Sequence, residues 1–133
     1  MTFYPHTAAN STAHPESKDL LKRILAEVIG LEQASYLFRS PQVQTVRSRM
    51  LSAVLHEEGV PAIDLLKIDT EGDELAVLRG ISQVHYPIIR QIAAELRTET
   101  DLTEAKELLR SRGCEVLAET GIALASILCA VKR

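Results

Sequence analysis

Residues 63–80 read IDLLKIDTEGDELAVLRG, and how this stretch is taken decides the fold of the chain. A mostly apolar run, broken only by Asp64 and Lys67, leads into Asp69. Thr70-Glu71-Gly72 then reads as a turn, and residues 73–81 as a helix with an apolar stripe. Ile63, Leu65, Leu66 and Ile68 cannot all point to one side of a strand, so other elements must cover both sides. That pattern predicts an interior parallel strand, residues 63–69, in an α/β sheet. Carboxylates at the carboxyl end of such a strand stand at the rim where α/β proteins bind their ligands.

Upstream, residues 1–4 read as the end of a strand that Pro5 stops, and residues 6–15 as a polar loop. Residues 16–38 read as helix, with Leu20, Leu21, Ile24, Leu25, Val28 and Ile29 spaced along one buried face. Gly30 divides that helix in two. Residues 43–49 (VQTVRSR) mix apolar and polar residues like a half-exposed strand, and residues 52–58 form a short helix closed by Gly59 with Pro61 beyond. Downstream, residues 88–96 (IIRQIAAEL) read as the next strand, although the Ala-Ala-Glu-Leu end would also suit a helix. Residues 103–112 form a helix that Gly113 ends. Residues 114–118 and 123–131 are two strands joined by a short turn at Thr120-Gly121, so they pair as an antiparallel hairpin.

At 133 residues the chain is long enough to bury a core as one domain. Its net charge of −3 lacks the clustered basic excess of a nucleic-acid-binding surface. The expectation is no nucleic acid and no membrane, since no apolar run approaches the length of a span. Cys114 and Cys129 are too few and too far apart for a metal knuckle or a disulfide scaffold. They read as reduced, buried thiols of a cytoplasmic protein.

Leu65-Leu66-Lys67-Ile68-Asp69-Thr70-Glu71-Gly72, with Glu74 and then Leu78-Arg79-Gly80, resembles the signature of FkbM-type methyltransferases. Asn10-Ser11-Thr12 is similar to that family's Asn-Ser-Thr segment, and Leu51-Ser52 to its Thr-Leu-Ser, with Met50 in place of the threonine. Residues 91–95 resemble the family's next strand, which often ends Glu-x-His; here Leu96 and Arg97 follow Glu95 and the histidine is missing. The resemblance implies a Rossmann-like α/β sheet, mostly parallel, with a C-terminal antiparallel hairpin. It also implies S-adenosylmethionine as cofactor and a hydroxyl on a small-molecule or sugar-like acceptor. It covers nearly the whole chain but only about the second half of the family's domain. No Gly-x-Gly occurs among the 133 residues, so the N-terminal cofactor-binding strands are expected to lie outside them. On this reading residues 1–133 are one partial methyltransferase domain. Residues 1–60 make a loop–helix–strand connection, and residues 61–133 the C-terminal half of the sheet.

Five residues carry the expected chemistry. Asp69 would orient or deprotonate the acceptor, a task a carboxylate suits, although Asp at this boundary also caps helices. Glu71 would assist from the same rim, or else sit in solvent where the helix dipole favours it. Asn10 and Ser11 would close over the cofactor, and Gly72 would let it approach the backbone closely. Lys67, inside an apolar strand, needs a partner, and Glu95 on the neighbouring strand is the expected one. Asp69, Glu71 and Glu95 are the residue types of an oxygen-ligand Mg²⁺ site, but without the histidine no metal is expected. His14 is a loop residue of the type that accepts protons near neutral pH.

Without the first strand of the domain, the 63–69 strand becomes an apolar edge, which invites pairing. A second copy, the 43–49 strand or an upstream domain would cover it. The competing reading is a truncated, non-catalytic remnant or a fragment of a larger biosynthetic synthase.

Overall fold

Gly30 and the exposed stretch after Val43 set the pattern of the first part of the chain. The computed structural model describes residues 1–4, 11–120 and 125–133, and it divides into two compact units, residues 1–47 and 48–133. In the first unit β1 (Thr2–Phe3) precedes α1 (Ser17–Ile29). Gly30, at φ 90°, ends α1 and starts α2 (Leu31–Leu37), as its freedom at positive φ allows. β2 (Gln42–Val43) pairs antiparallel with β1, Thr2 opposite Val43, while the backbones of Thr2 and Thr12 exchange two hydrogen bonds of 2.7 and 3.0 Å. Tyr4 and Phe38 meet edge to face at 5.3 Å, and Ala34 is fully buried.

Two expectations for this unit need correction. The 43–49 segment is not a strand: only Gln42–Val43 is, and residues 44–50 are exposed without regular structure. The apolar face of α1 is also less covered than its spacing predicts, with Leu20 60% and Val28 74% exposed. Periodicity marks which residues share a face, not what lies against it.

The second unit begins with α3 (Leu51–Glu57) and continues β3 (Leu66–Ile68), α4 (Glu74–Arg79), a short 3₁₀ turn (Tyr86–Ile88) and β4 (Gln91–Leu96). Then come α5 (Glu99–Ser111), β5 (Cys114–Thr120) and β6 (Ser126–Lys132). The sheet order is β3-β4-β6-β5. β3 runs parallel to β4, with Ile68 opposite Ala94, and β6 is antiparallel to both β4 and β5. β5 and β6 therefore pair as the antiparallel hairpin expected, while Gly121 of the expected turn lies outside the described residues, and the sheet is a mixed one. One face carries Ile68, Ile92, Ala94 and Leu128 into a core with Leu78 of α4 and Leu109 of α5, all at most 3% exposed. On the other face Leu117, Ile127 and Val131 are 65%, 53% and 45% exposed. Cys114 is half-buried, but Cys129 is exposed on that second face, so only part of the buried-thiol expectation survives.

The 63–69 segment forms a shorter strand than its run of apolar residues predicts. Ile63 makes an isolated parallel bridge to Ile89, and the ladder proper is confined to Leu66–Ile68. Among the described residues β3 has a strand on one side only, and Leu65 is 58% exposed. An apolar run reports that cover is needed without saying that this stretch of chain provides it. The class is α/β throughout. Among the described residues no helix is long and apolar enough to cross a membrane.

Candidate functional site at the carboxyl end of β3

Because β3 and β4 are parallel, their carboxyl ends open onto the same rim. Asp69 is the first residue beyond β3, and Glu95 and Arg97 close β4 beside it. The side chain of Asp69 is about one-third exposed, at 34%, and its Oδ2 accepts a 2.7 Å hydrogen bond from Lys67 Nζ. Lys67 thus pairs with Asp69 rather than with Glu95 as expected. Two residues apart on one strand, the pair shares a face, so this contact needs no reach across the ladder. The Asp69 hydrogen bond, then its charge, raises the Lys67 pKa against a smaller opposing effect of desolvation, and Glu95 adds the least, a further push upward. The capping role is not filled by Asp69: the residue at the N-terminal boundary of α4 is Asp73, which makes no side-chain cap hydrogen bond.

The turn after Asp69 is held from two directions. Glu71 has φ 60° and Gly72 φ 125°. A non-glycine residue in the left-handed region costs about 1–2 kcal/mol, so something must hold Glu71 there. Its side chain, 16% exposed, accepts a 2.7 Å hydrogen bond from Arg97 Nη2. The same guanidinium nitrogen lies 3.7 Å from Glu95 Oε1. From below, Glu74 is 3% exposed, and its Oε1 accepts from Thr70 N at 2.8 Å, Thr70 Oγ1 at 3.1 Å and Gly72 N at 3.1 Å. A carboxylate buried this deeply costs several kcal/mol unless donors compensate it, and three donors on one oxygen do so.

The rim therefore brings together Asp69, Glu71, Gly72 and Glu95 from the residues singled out in the sequence. It adds Glu74 and Arg97, which sequence reasoning passed over as site residues. Arg97 had a signal: a cation directly after a strand that ends among three carboxylates needs a reason. Glu74 had almost none, because a glutamate in the first turn of a helix reads as solvated. The amide of Gly72 is already engaged by Glu74, so what Gly72 offers a ligand is its missing side chain. Ser11 is half-buried in the first unit, beside Thr12, and Asn10 lies outside the described residues. The His14 ring nitrogen Nδ1 is 3.4 Å from Glu16 Oε1, and the His14 backbone amide donates to Thr12 Oγ1 at 3.0 Å. Among the described residues no group of three or more His, Cys, Asp or Glu side chains is placed to hold a metal ion.

An α/β sheet with an acidic rim at the end of a parallel strand, followed by a tight turn into a helix, is a frame that methyltransferases share with many other α/β proteins. The methyltransferase FkbM domain matches residues 6–116, and the chain belongs to that family. The 31-O-demethyl-FK506 methyltransferase FkbM of Streptomyces tacrolimicus is 37% identical over 129 residues, which cover 90% of this chain and 49% of that protein. Methyltransferase sdnD of Sordaria araneosa is 31% identical over 125 residues, covering 87% of this chain and 48% of that one. The chain thus spans about half the length of these curated relatives. Among solved structures, the METTL16 MTase domain is similar with 19% identity and a TM-score of 0.48, over 83% of this chain and 44% of that one.

Proposed function

We propose that the chain takes part in methyl transfer from S-adenosylmethionine to a hydroxyl of a small-molecule or sugar-like acceptor. The observation that carries this reading is Asp69 at the carboxyl end of β3, next to the parallel end of β4, in a chain of the FkbM family. Family membership supports S-adenosylmethionine as the donor. A relative named for a 31-O-demethyl compound supports oxygen as the acceptor atom. In the reaction the acceptor oxygen forms a bond to the methyl carbon as the carbon–sulfur bond breaks, and its electron pair stays on sulfur. Asp69 orients the hydroxyl and takes its proton, with Glu71 keeping the rim negative beside it. Positioning and proton removal are the tasks left to the protein in such a displacement. Gly72 is assigned to the cofactor side.

The rim residues fit such a use in one concrete respect. Asp69 is solvent-accessible and its carboxylate accepts a hydrogen bond from an exposed lysine, an interaction weak enough for a hydroxyl to displace. The open side of β3 is part of the proposal: a further strand, from a second copy or an adjoining domain, would pair there.

Titration calorimetry with S-adenosylmethionine, followed by transfer of a labelled methyl group to candidate alcohols, tests the reading. Binding and transfer are expected where a second copy or an adjoining domain completes the cofactor side at the open edge of β3, and silence favours the non-catalytic remnant. Asp69→Asn should lower the transfer rate by about 10²–10⁴-fold while changing stability by less than about 0.5 kcal/mol. An Asp69→Asn variant that transfers methyl at the wild-type rate would remove Asp69 from the mechanism. A chain that takes up no S-adenosylmethionine would overturn the proposal.

A further inference from the structure

We propose that Glu74 is a positioning residue, whose buried carboxylate fixes the turn at residues 70–72 and through it the direction in which Asp69 presents its side chain. The value of that placement for methyl transfer rests on the function proposed above; the placement itself does not.

The argument starts from what Glu74 does not do. It lies in the first turn of α4, yet its three hydrogen bonds go to Thr70 N, Thr70 Oγ1 and Gly72 N, all upstream of the helix. Helix capping by a neutral side chain such as Ser or Thr would satisfy the amides of the helix itself. Here a charged group, 3% exposed, is instead directed backward into the connection from β3. No ion pair to Glu74 is found among the described residues, so the turn's own donors compensate its charge.

The geometry of the turn gives this a purpose. Thr70 and Gly72, the two residues whose amides Glu74 collects, flank Glu71 at φ 60°. With both neighbours tied down, Glu71 cannot relax out of the left-handed region without breaking a hydrogen bond to a buried carboxylate. Its side chain is thereby directed to Arg97 at the end of β4. Asp69 is joined directly to Thr70, so the same anchor holds the peptide plane beside which the Asp69 side chain projects. Glu74 below and Arg97 above hold the turn between them, and Asp69 stays in the open.

Glu74→Gln and Glu74→Ala separate the possibilities. Glutamine keeps an oxygen that can accept from Thr70 and Gly72; alanine keeps none. Three readouts on the labelled full chain are needed: amide exchange at Thr70 and Gly72, the carboxylate ¹³C chemical shift of Asp69 at neutral pH, and S-adenosylmethionine affinity by calorimetry. In Glu74→Ala the two amides should exchange at least about tenfold faster, the scale of a lost hydrogen bond to a charged group. The Asp69 carboxylate resonance should move, and affinity should fall about tenfold or more. Glu74→Gln should stay within about threefold of wild type in affinity and keep the Asp69 resonance in place, which also decides the matter should the alanine variant fail to fold. An Asp69 resonance unchanged in Glu74→Ala, or moved equally in both variants, overturns the inference. A wild-type chain that takes up no S-adenosylmethionine counts against the proposed function, and the amide exchange and the Asp69 resonance then still decide the role of Glu74.

Discussion

Tyr86 shows how much one buried polar group can govern. It is 2% exposed, and its hydroxyl donates a 2.8 Å hydrogen bond to the carbonyl oxygen of Leu78. Burial pushes its pKa up to about 12 from an ordinary 10.0, against a smaller downward pull from Arg112 and a slight push from Cys114. The folded state thus favours the neutral phenol. Its stabilisation is intact below about pH 10 and is lost as pH rises from there through about 12, an effect of about 2–3 kcal/mol. Denaturant melts across that window should show the loss in wild type. Tyr86→Phe should flatten it, at a cost of about 1 kcal/mol at neutral pH for the missing hydrogen bond. A Tyr86→Phe variant with the same alkaline slope would place the titrating group elsewhere. The residue scale is also where the sequence is hardest to read. Asp69 stands out because a carboxylate at the end of an apolar strand is conspicuous, whereas Glu74 looks like any first-turn acid and only packing shows it to be buried.

Among the elements, β3 decides the most. Leu65 is 58% exposed and the strand is paired on one side only among the described residues. Three ladder residues leave a short edge, but an apolar one, which favours strand addition. Light scattering at micromolar concentration should give a mass above the 14.7 kDa of one chain, and Leu65→Lys should bring it back toward that value. A wild-type chain that stays monomeric and well folded would show that the edge needs no partner. The alternation and spacing rules located nearly every element: the helices on either side of Gly30, the strand at residues 91–96 and the closing hairpin. They failed where a short pattern has two readings. VQTVRSR mixes apolar and polar residues like a strand, yet its pairing ends at Gln44, which exchanges hydrogen bonds of 2.9 and 2.8 Å with Met1, and α5 begins at Glu99, four residues before its apolar spacing becomes clear. The signal for that start was a cap: Thr98 Oγ1 accepts from Asp101 N at 3.0 Å. The placement of β3 at an edge was beyond any local pattern, since it depends on which strands are available to flank it.

For the molecule as a whole, the division near residue 47 makes its own prediction. Residues 44–50 are exposed and without regular structure, and they contain Arg47 and Arg49. Arg49 is paired with Glu57, which leaves the bond after Arg47 as the first expected cut for trypsin under native conditions. The fragment covering residues 48–133 holds the sheet, α4 and α5 with their shared core, and should keep a cooperative thermal transition. Loss of that transition on cleavage would mean that residues 1–47 are needed to keep the second unit folded.

Two ion pairs of the rim, Lys67 with Asp69 and Arg97 with Glu71, differ in their access to water, and this gives dissolved electrolyte a selective grip. Lys67 and Asp69 have side chains 69% and 34% exposed, whereas those of Arg97 and Glu71 are 25% and 16% exposed. Mobile ions screen accessible charges far more than sheltered ones, with a Debye length of about 8 Å at physiological strength and about 3 Å at 1 M. Added sodium chloride should therefore loosen lysine's hold on the carboxylate of residue 69 while the guanidinium clasp on its neighbour persists. Ionic strength becomes a reversible dial on a single acid, turned without touching the backbone that carries it.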